Sequence, residues 1–219
     1  MPMKTSVLKK QLYSESAALT KALGNPLRLE ILDLLAQGAL SVEYISENTG
    51  LSVANTSAHL QVLRQARLVS ARRDGKQVFY SLSGTDTHKL LCQLRAAAVS
   101  RNAEIGRLLE SYREQKHSAD QVRLEEISGM INSGKVVLLD VRPAEEFEIA
   151  ALPGAVSIPV RELPKRIAEL PQDCEIVTYC RGEFCLMADE AVAILRANGY
   201  SARRMEKGLP EWENSQLQR

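Results

Sequence analysis

Two hydrophobic rhythms meet at the polar stretch Tyr112-Arg-Glu-Gln-Lys-His-Ser-Ala-Asp120. Before it, apolar residues recur at helical spacing and one hairpin pattern intervenes; beyond it, short β-branched strands alternate with helices. A single layered architecture does not accommodate both rhythms, so the 219 residues are expected to form two domains, each long enough to bury a core. The expected domains span residues 1–113 and 122–219, joined by a linker at 114–121. Charge follows the same division. Residues 1–117 carry 16 Lys+Arg and 10 Asp+Glu, whereas residues 118–219 carry 12 and 17. The basic half is the candidate for a polyanionic partner.

No apolar run approaches the ~20 residues that span a bilayer, and the N-terminus lacks the apolar core of a secretory signal. A cytoplasmic protein with no membrane partner is expected. The four cysteines, Cys92, Cys174, Cys180 and Cys185, include no Cys-x-x-Cys and fit reduced thiols better than a disulfide framework. The histidines His59, His88 and His117 are scattered. No metal site and no cofactor are therefore expected.

In the first half, residues 8–22 read as a helix. Asn25 and Pro26 restart the chain as N-cap and first helical residue of a second, amphipathic helix. Ser41 starts a short helix that turns at Asn48-Thr49-Gly50. Ser52 caps another running to about Arg67, with Val53, Leu60 and Leu63 as its apolar face. Two helices joined by a tight Gly-containing turn make a helix-turn-helix pattern. Two strand patterns then flank Asp74-Gly75, a strong hairpin signal, with Arg72, Arg73 and Lys76 at its tip. A helix for the major groove beside a basic wing is a DNA-binding arrangement.

Three ordered motifs, Leu23-Gly-Asn-Pro-Leu-Arg-Leu-Glu-Ile-Leu32, Thr56-Ser-Ala-His-Leu-Gln-Val-Leu-Arg-Gln-Ala-Arg-Leu-Val69 and Asp74-Gly-Lys-Gln-Val-Phe-Tyr-Ser-Leu82, resemble the ArsR class of winged-helix repressors over about residues 8–110. The resemblance implies a mainly-α winged helix-turn-helix, a homodimer built on the first helix and a long last helix from about Asp86 to Tyr112, and a palindromic double-stranded DNA operator. Ser52, Asn55, Thr56, Ser57, His59 and Gln61 fall on the family's DNA-reading helix, where their polar edges suit base and phosphate contacts. Helix-surface packing is the competing role for His59. The Cys-x-Cys of many metal-sensing members is absent from Ser41-Val-Glu-Tyr-Ile-Ser-Glu47. Asp86 and His88 supply half of a second type of metal site, which Val99 and Asn102 leave incomplete, so Asp86 is expected to cap its helix. Cys92 lacks the second thiol of persulfide-sensing members. The DNA-binding half is thus expected to lack a sensor of its own.

In the second half, helices are expected from near Arg123, Glu145, Arg161, Leu186 and Pro210, and strands at Val136–Leu139, Val156–Ile158, Glu175–Tyr179 and Arg203–Met205. That alternation predicts an α/β domain with a mainly parallel sheet and its site outside the carboxyl ends of the strands. One strand ends in Cys180, followed by Arg181, Gly182, Glu183, Phe184 and Cys185 and then an apolar-periodic helix. A thiol among backbone N–H groups, near a helix N-terminus and beside Arg181, is expected to have a depressed pKa and to be nucleophilic. A buried core cysteine ending a strand is the competing reading.

The pieces Leu139-Asp140-Val141-Arg142 with Glu146-Phe147, Leu152-Pro153-Gly154-Ala155 with Ile158-Pro159, the Cys180 loop, and Gly199-Tyr200 followed by Lys207-Gly208 and Trp212 resemble a single rhodanese domain over about residues 120–217. The resemblance implies a sulfane-sulfur donor, a Cys180 persulfide and a thiol acceptor, with the loop 180–185 as the catalytic segment and Asp140 and Arg142 supporting it. A cysteine-dependent phosphatase would need Arg at position 186, where Leu186 stands. Cys185 stands where many thiosulfate-using rhodaneses carry a cation; it either forms a disulfide with Cys180 as a reversible switch or packs beneath the loop. Three functions stay open: a repressor reporting sulfane sulfur to DNA, a sulfurtransferase whose winged helix dimerises or localises it, and an arsenic- or metal-responsive repressor. Sulfurtransferase turnover is left undecided by the residues.

Overall fold

The computed structural model describes residues 5–123, 126, 127, 129, 130, 136–210 and 212. The chain divides into two compact units, Met1–Cys92 and Gln93–Arg219. The boundary expected near 113 therefore falls inside the second unit, because Tyr112 and Arg113 make hydrogen bonds within it.

The first unit contains α1 (Thr5–Leu23), α2 (Pro26–Leu35), α3 (Val42–Thr49), α4 (Val53–Gln65) and the start of α5 (Thr85–Arg101). Its antiparallel sheet has strands β1 (Leu40–Ser41), β2 (Val69–Asp74) and β3 (Gln77–Leu82) in the order β1-β3-β2. Three of the helix starts follow from a local hydrogen bond. Asn25 accepts from the Arg28 N–H at 3.1 Å, Ser41 from Tyr44 at 3.2 Å and Ser52 from Asn55 at 3.3 Å, satisfying otherwise orphaned donors. Asp74 pairs with Gln77, leaving Gly75 and Lys76 as a two-residue turn, and Gly75 adopts φ 59°. That left-handed conformation is open to glycine at little steric cost. Ile31, Leu35, Ile45, Leu60, Leu63 and Leu91 join one core.

The sequence placed Val53 on the buried face of α4, but Val53 is exposed and Thr56 is buried with Leu60 and Leu63. Spacings of four and three put 56, 60 and 63 on one face, whereas Val53 occupies the first helical position. The single long last helix is also corrected. It breaks at Asn102, whose extended backbone and side-chain acceptance from the Glu104 N–H start a separate α6 (Ala103–Gln115). Asp86 lies inside the first turn of α5 rather than capping it, where a carboxylate still suits the helix dipole.

The second unit holds a five-stranded sheet, all parallel, of β4 (Gln121–Val122), β5 (Val136–Asp140), β6 (Val156–Ser157), β7 (Glu175–Tyr179) and β8 (Ala202–Met205), ordered β4-β8-β7-β5-β6. Between them lie α7 (Ala144–Ile149), α8 (Leu163–Arg166) with a 3-10 turn at Ile167–Glu169, and α9 (Met187–Ala197). The expected α/β class and parallel sheet are present; the two-residue β4 carried no readable strand pattern. The helices expected from Arg123 and Pro210 lie partly outside the described residues. A parallel sheet buries both faces, and alternate residues of β5 and β7 do so here. Leu139 and Ile176 pack with Ala191 and Leu195 on one side, while Leu138, Val177 and Tyr179 pack with Met205 on the other. β7 is the middle strand, so Cys180, immediately after it, emerges at the centre of the sheet's carboxyl edge.

Candidate functional site

On the first unit, the DNA-reading candidates separate by burial. Asn55 and Gln61 on α4 are exposed, and so are Arg72, Arg73 and Lys76 on the hairpin; Ser57 and His59 are half-buried. Ser52 is exposed but its hydroxyl caps α4. Gln61 Nε2 donates to the Tyr80 hydroxyl at 3.2 Å, tying the helix to β3. Thr56 is 0% exposed and its hydroxyl donates to the Ser52 carbonyl at 3.1 Å, so it faces the core instead of a nucleic acid. At the hairpin tip Arg72 pairs with Asp74 at 3.2 Å, and Arg73 Nε donates to the Gly75 carbonyl at 3.2 Å. Among these groups Lys76 stands at the turn itself.

On the second unit, the loop after β7 is built by backbone geometry. Gly182 takes φ 149°, the Cys185 N–H donates to the Gly182 carbonyl at 3.1 Å, and the Thr178 hydroxyl donates to the Ala188 carbonyl at 3.1 Å. The last bond clamps the strand to the start of α9. Gly208 closes the loop from below: a Cβ there would lie 2.5 Å from the Arg181 carbonyl carbon, 2.5 Å from Gly182 N and 2.6 Å from Cys180 O. All three are backbone atoms, so only glycine fits without moving the loop.

Both loop thiols are free and buried, Cys180 with 3% exposed. The Cys180 thiol donates to the Cys185 carbonyl oxygen at 3.3 Å, which brings the two cysteines together across the loop. Burial, then the neighbouring Cys185 thiol and its charge, push the Cys180 pKa up; the N–H groups of Ala188 and Gly182 oppose the rise. The neighbouring Cys180 thiol pulls the Cys185 pKa down against burial, assisted by the N–H groups of Met187 and Arg181 and by the Arg181 charge. The expected depression therefore falls on Cys185, not Cys180. The physical reason is that the pair shares a proton, so one thiol stabilises its neighbour's thiolate. Cys174 is pushed up by burial and by Asp173.

The Arg181 guanidinium also forms a buried ion pair. Its Nε donates to both Glu146 carboxylate oxygens, at 3.1 and 3.0 Å, and Glu146 is fully buried at α7. Beside it, Arg142 Nε and Nη2 grip Asp140 at 3.0 and 2.6 Å, with a further bond from Nη2 to the Ala150 carbonyl at 2.7 Å. These two buried pairs anchor the loops at the ends of β5 and β7. Glu183, two residues after Arg181, has its carbonyl held by Arg113 Nη2 at 3.0 Å. Phe184 is partly exposed and lies under the Arg95 guanidinium, 5.9 Å from ring centroid to carbon.

Sequence reasoning missed Arg113, Asp189 and Arg204. Arg113 belongs by sequence to the helix–linker junction, 70 residues from its partner, and no local pattern announces such a contact. Asp189 resembles an ordinary acidic residue in a helix's first turn. Arg204 sits in a strand, where only the burial of that strand marks it as unusual.

Residues 25–71 match the family model described as bacterial regulatory protein, arsR family, and residues 123–215 match that of the rhodanese-like domain. The HTH-type transcriptional regulator Rv0324 of Mycobacterium tuberculosis is 40% identical over 204 residues, covering 93% of this chain and 89% of that protein. The transcriptional activator HlyU of Vibrio cholerae is 36% identical over 99 residues, covering 42% of this chain and 91% of that one. A solution structure of the homodimeric winged helix-turn-helix domain of Mb0332 from Mycobacterium bovis is 38% identical, with TM-score 0.44, covering 47% of this chain and 94% of the other.

Proposed function

Because the chain belongs to the ArsR-type HTH transcriptional regulators and carries a rhodanese-like domain behind its winged helix, we propose that it reports sulfane sulfur to a DNA operator through Cys180 and Cys185. The observation carrying this reading is the pair of buried free thiols at the end of the sheet's middle strand, with the Cys180 thiol bonded to the Cys185 carbonyl at 3.3 Å. In the proposed chemistry the Cys185 thiolate accepts the Cys180 proton as the Cys180 sulfur attacks a sulfane sulfur of a polysulfide. A new S–S bond forms on Cys180, the polysulfide's own S–S bond breaks, and it leaves one sulfur shorter. N–H groups of Gly182 and Ala188 then face the persulfide anion. If Cys185 attacks next, the Cys180–Cys185 disulfide forms and the outer sulfur departs with the proton as hydrosulfide. The first step moves the loop's negative charge from Cys185 to the outer sulfur on Cys180, and the second removes it from the loop, where low dielectric makes charge matter most.

The operator half of the proposal rests on the exposed edges of Asn55 and Gln61 and the basic hairpin tip. Homodimerisation is supported by α1, which leaves Leu8, Leu12 and Tyr13 exposed at 41%, 60% and 67%. Such a stripe is suited to burial against a second copy. Operator binding by wild type and Cys180→Ser, each with and without polysulfide, tests the reading. A polysulfide response in wild type that is absent in the variant supports it. Equal responses in both proteins reject Cys180 as the sensor, and rapid sulfur turnover with no operator preference favours a sulfurtransferase.

A further inference from the structure

We propose that Arg113, at the end of α6, is a positioning residue of the sulfur site: it holds the Glu183 carbonyl and sets a buried positive charge beside the Cys180 loop, so that loop charge and the end of α6 change together. The inference deepens the proposed sulfane-sulfur reading and rests on it for the identity of the loop's modification.

Arg113 is buried on a helix that precedes the sheet, yet its contacts lie on the thiol loop and α9. Nη2 donates to the Glu183 carbonyl at 3.0 Å, between the two cysteines in sequence. Its Nε stands 3.7 Å from Asp189 Oδ1 and has no hydrogen-bond partner among the described residues. The same Asp189 oxygen accepts from the Ser118 hydroxyl at 2.7 Å and lies 3.5 Å from Arg204 Nε. Two buried guanidinium groups thus share one buried carboxylate. Arg204 is 1% exposed, and its Nε and Nη1 also lack hydrogen-bond partners among the described residues.

Buried charge without matched partners is unfavourable, so this cluster carries an excess of positive charge that an anion on the adjoining loop offsets. The charged groups acting on Arg113 include Arg204 from β8, Asp189 from α9, and Glu183 and Cys180 from the loop. Burial and Arg204 lower the Arg113 pKa, whereas Asp189, Glu183 and Cys180 raise it. A thiolate or persulfide therefore strengthens the hold of Arg113, and a neutral disulfide weakens it. Arg95 over Phe184 gives the same loop a second contact from the preceding helix, α5. The end of α6 registers the change because Arg113 lies in its last turn and its carbonyl accepts from the Ser118 N–H at 2.8 Å.

The test uses the full chain with Arg113→Gln and Arg113→Lys. Alkylation of Cys180 and Cys185 is followed against pH by peptide mass spectrometry, and amide exchange is followed in α6 before and after polysulfide. Arg113→Gln is expected to move the thiol profile to higher pH, slowing alkylation at pH 7 by roughly three- to tenfold, the equivalent of half to one pKa unit. Arg113→Lys is expected to retain the wild-type profile through its charge but to lose the polysulfide-dependent change in α6 exchange through loss of the fork that reaches Glu183. A wild-type profile in Arg113→Gln, or an undiminished α6 response in Arg113→Lys, overturns the proposal. Sulfur loading on Cys180, read as a mass increment in the same samples, separates the two claims. If wild type never loads sulfur, the proposed function fails while the pH profiles still decide the role of Arg113.

Discussion

Replacing Gly208 with Ala tests whether the thiol loop is held by backbone contact alone. The added Cβ would meet the Arg181 carbonyl carbon and Gly182 N at 2.5 Å and Cys180 O at 2.6 Å, whereas ordinary van der Waals contact begins at 3.4 Å. No flexible side chain is involved, so relief requires two backbone segments to part by about 1 Å, a misplacement that costs on the order of 100-fold in a positioned reaction. The overpacking itself destabilises by about 1–3 kcal/mol, and each 1 kcal/mol lowers Tm by roughly 2–4 °C for a chain of this size. Gly129→Ala is the matched control, since a Cβ there meets nothing within 4 Å and Ala is favoured over Gly in a helix by about 1 kcal/mol. Thermal melting and the rate of polysulfide-derived mass gain on Cys180 are measured for both variants. Gly208→Ala is expected to melt lower and load sulfur far more slowly than wild type, with Gly129→Ala unchanged or slightly more stable. If Gly208→Ala melts and loads as the control does, the loop is not set by this contact and the reasoning is refuted.

Asp140→Asn leaves the Arg142 guanidinium buried without its carboxylate and is expected to destabilise the protein by about 3–5 kcal/mol, measured by urea unfolding; a change under about 1 kcal/mol, the scale of one ordinary hydrogen bond, would show that the Ala150 carbonyl suffices. With the Cys185 pKa depressed and that of Cys180 raised, limited alkylation below pH ~8.5 should label Cys185 first, and preferential labelling of Cys180 contradicts the proton-sharing account. The linked stability has opposite signs. Cys185 contributes stability present above its unfolded pKa and lost as pH falls through its lower folded value, while Cys180 contributes stability present below its unfolded pKa and lost as pH rises towards its folded value; Cys185→Ser should remove the first trend in pH-dependent unfolding. Thr56→Val should cost about 0.5–1.5 kcal/mol of stability through the missing Ser52 bond and leave operator affinity unchanged, whereas removing wing cations should lower the salt slope by about 0.9 for each phosphate no longer neutralised. A fall in affinity with Thr56→Val, in a binding titration of folded protein, would return Thr56 to the DNA surface.

Local interactions explain which features are readable from the chain alone. Asn25, Ser41 and Ser52 each cap a helix through a bond three residues along the chain, and Gly75 turns a hairpin within two residues. Such features need no knowledge of distant partners. The break at Asn102 is also local, but its polar cap lies within a pattern otherwise favourable to one continuous helix. Thr56 misleads because its hydroxyl suits a base contact and a carbonyl bond equally well; burial chooses the second.

The amino-acid sequence by itself determined the winged helix, the parallel α/β domain and the position of Cys180 at a strand end, since periodicity, caps and turn residues act over a few positions. Tertiary structure decided the chemistry around that cysteine. It turned Arg181 towards Glu146, gave Cys185 the lowered pKa, placed Gly208 against the loop backbone and brought Arg113 to Glu183. Those outcomes depend on burial and on polar groups meeting across as many as 70 residues of chain. Burial and Coulombic attraction are set by distance in space, which spacing along the chain does not encode.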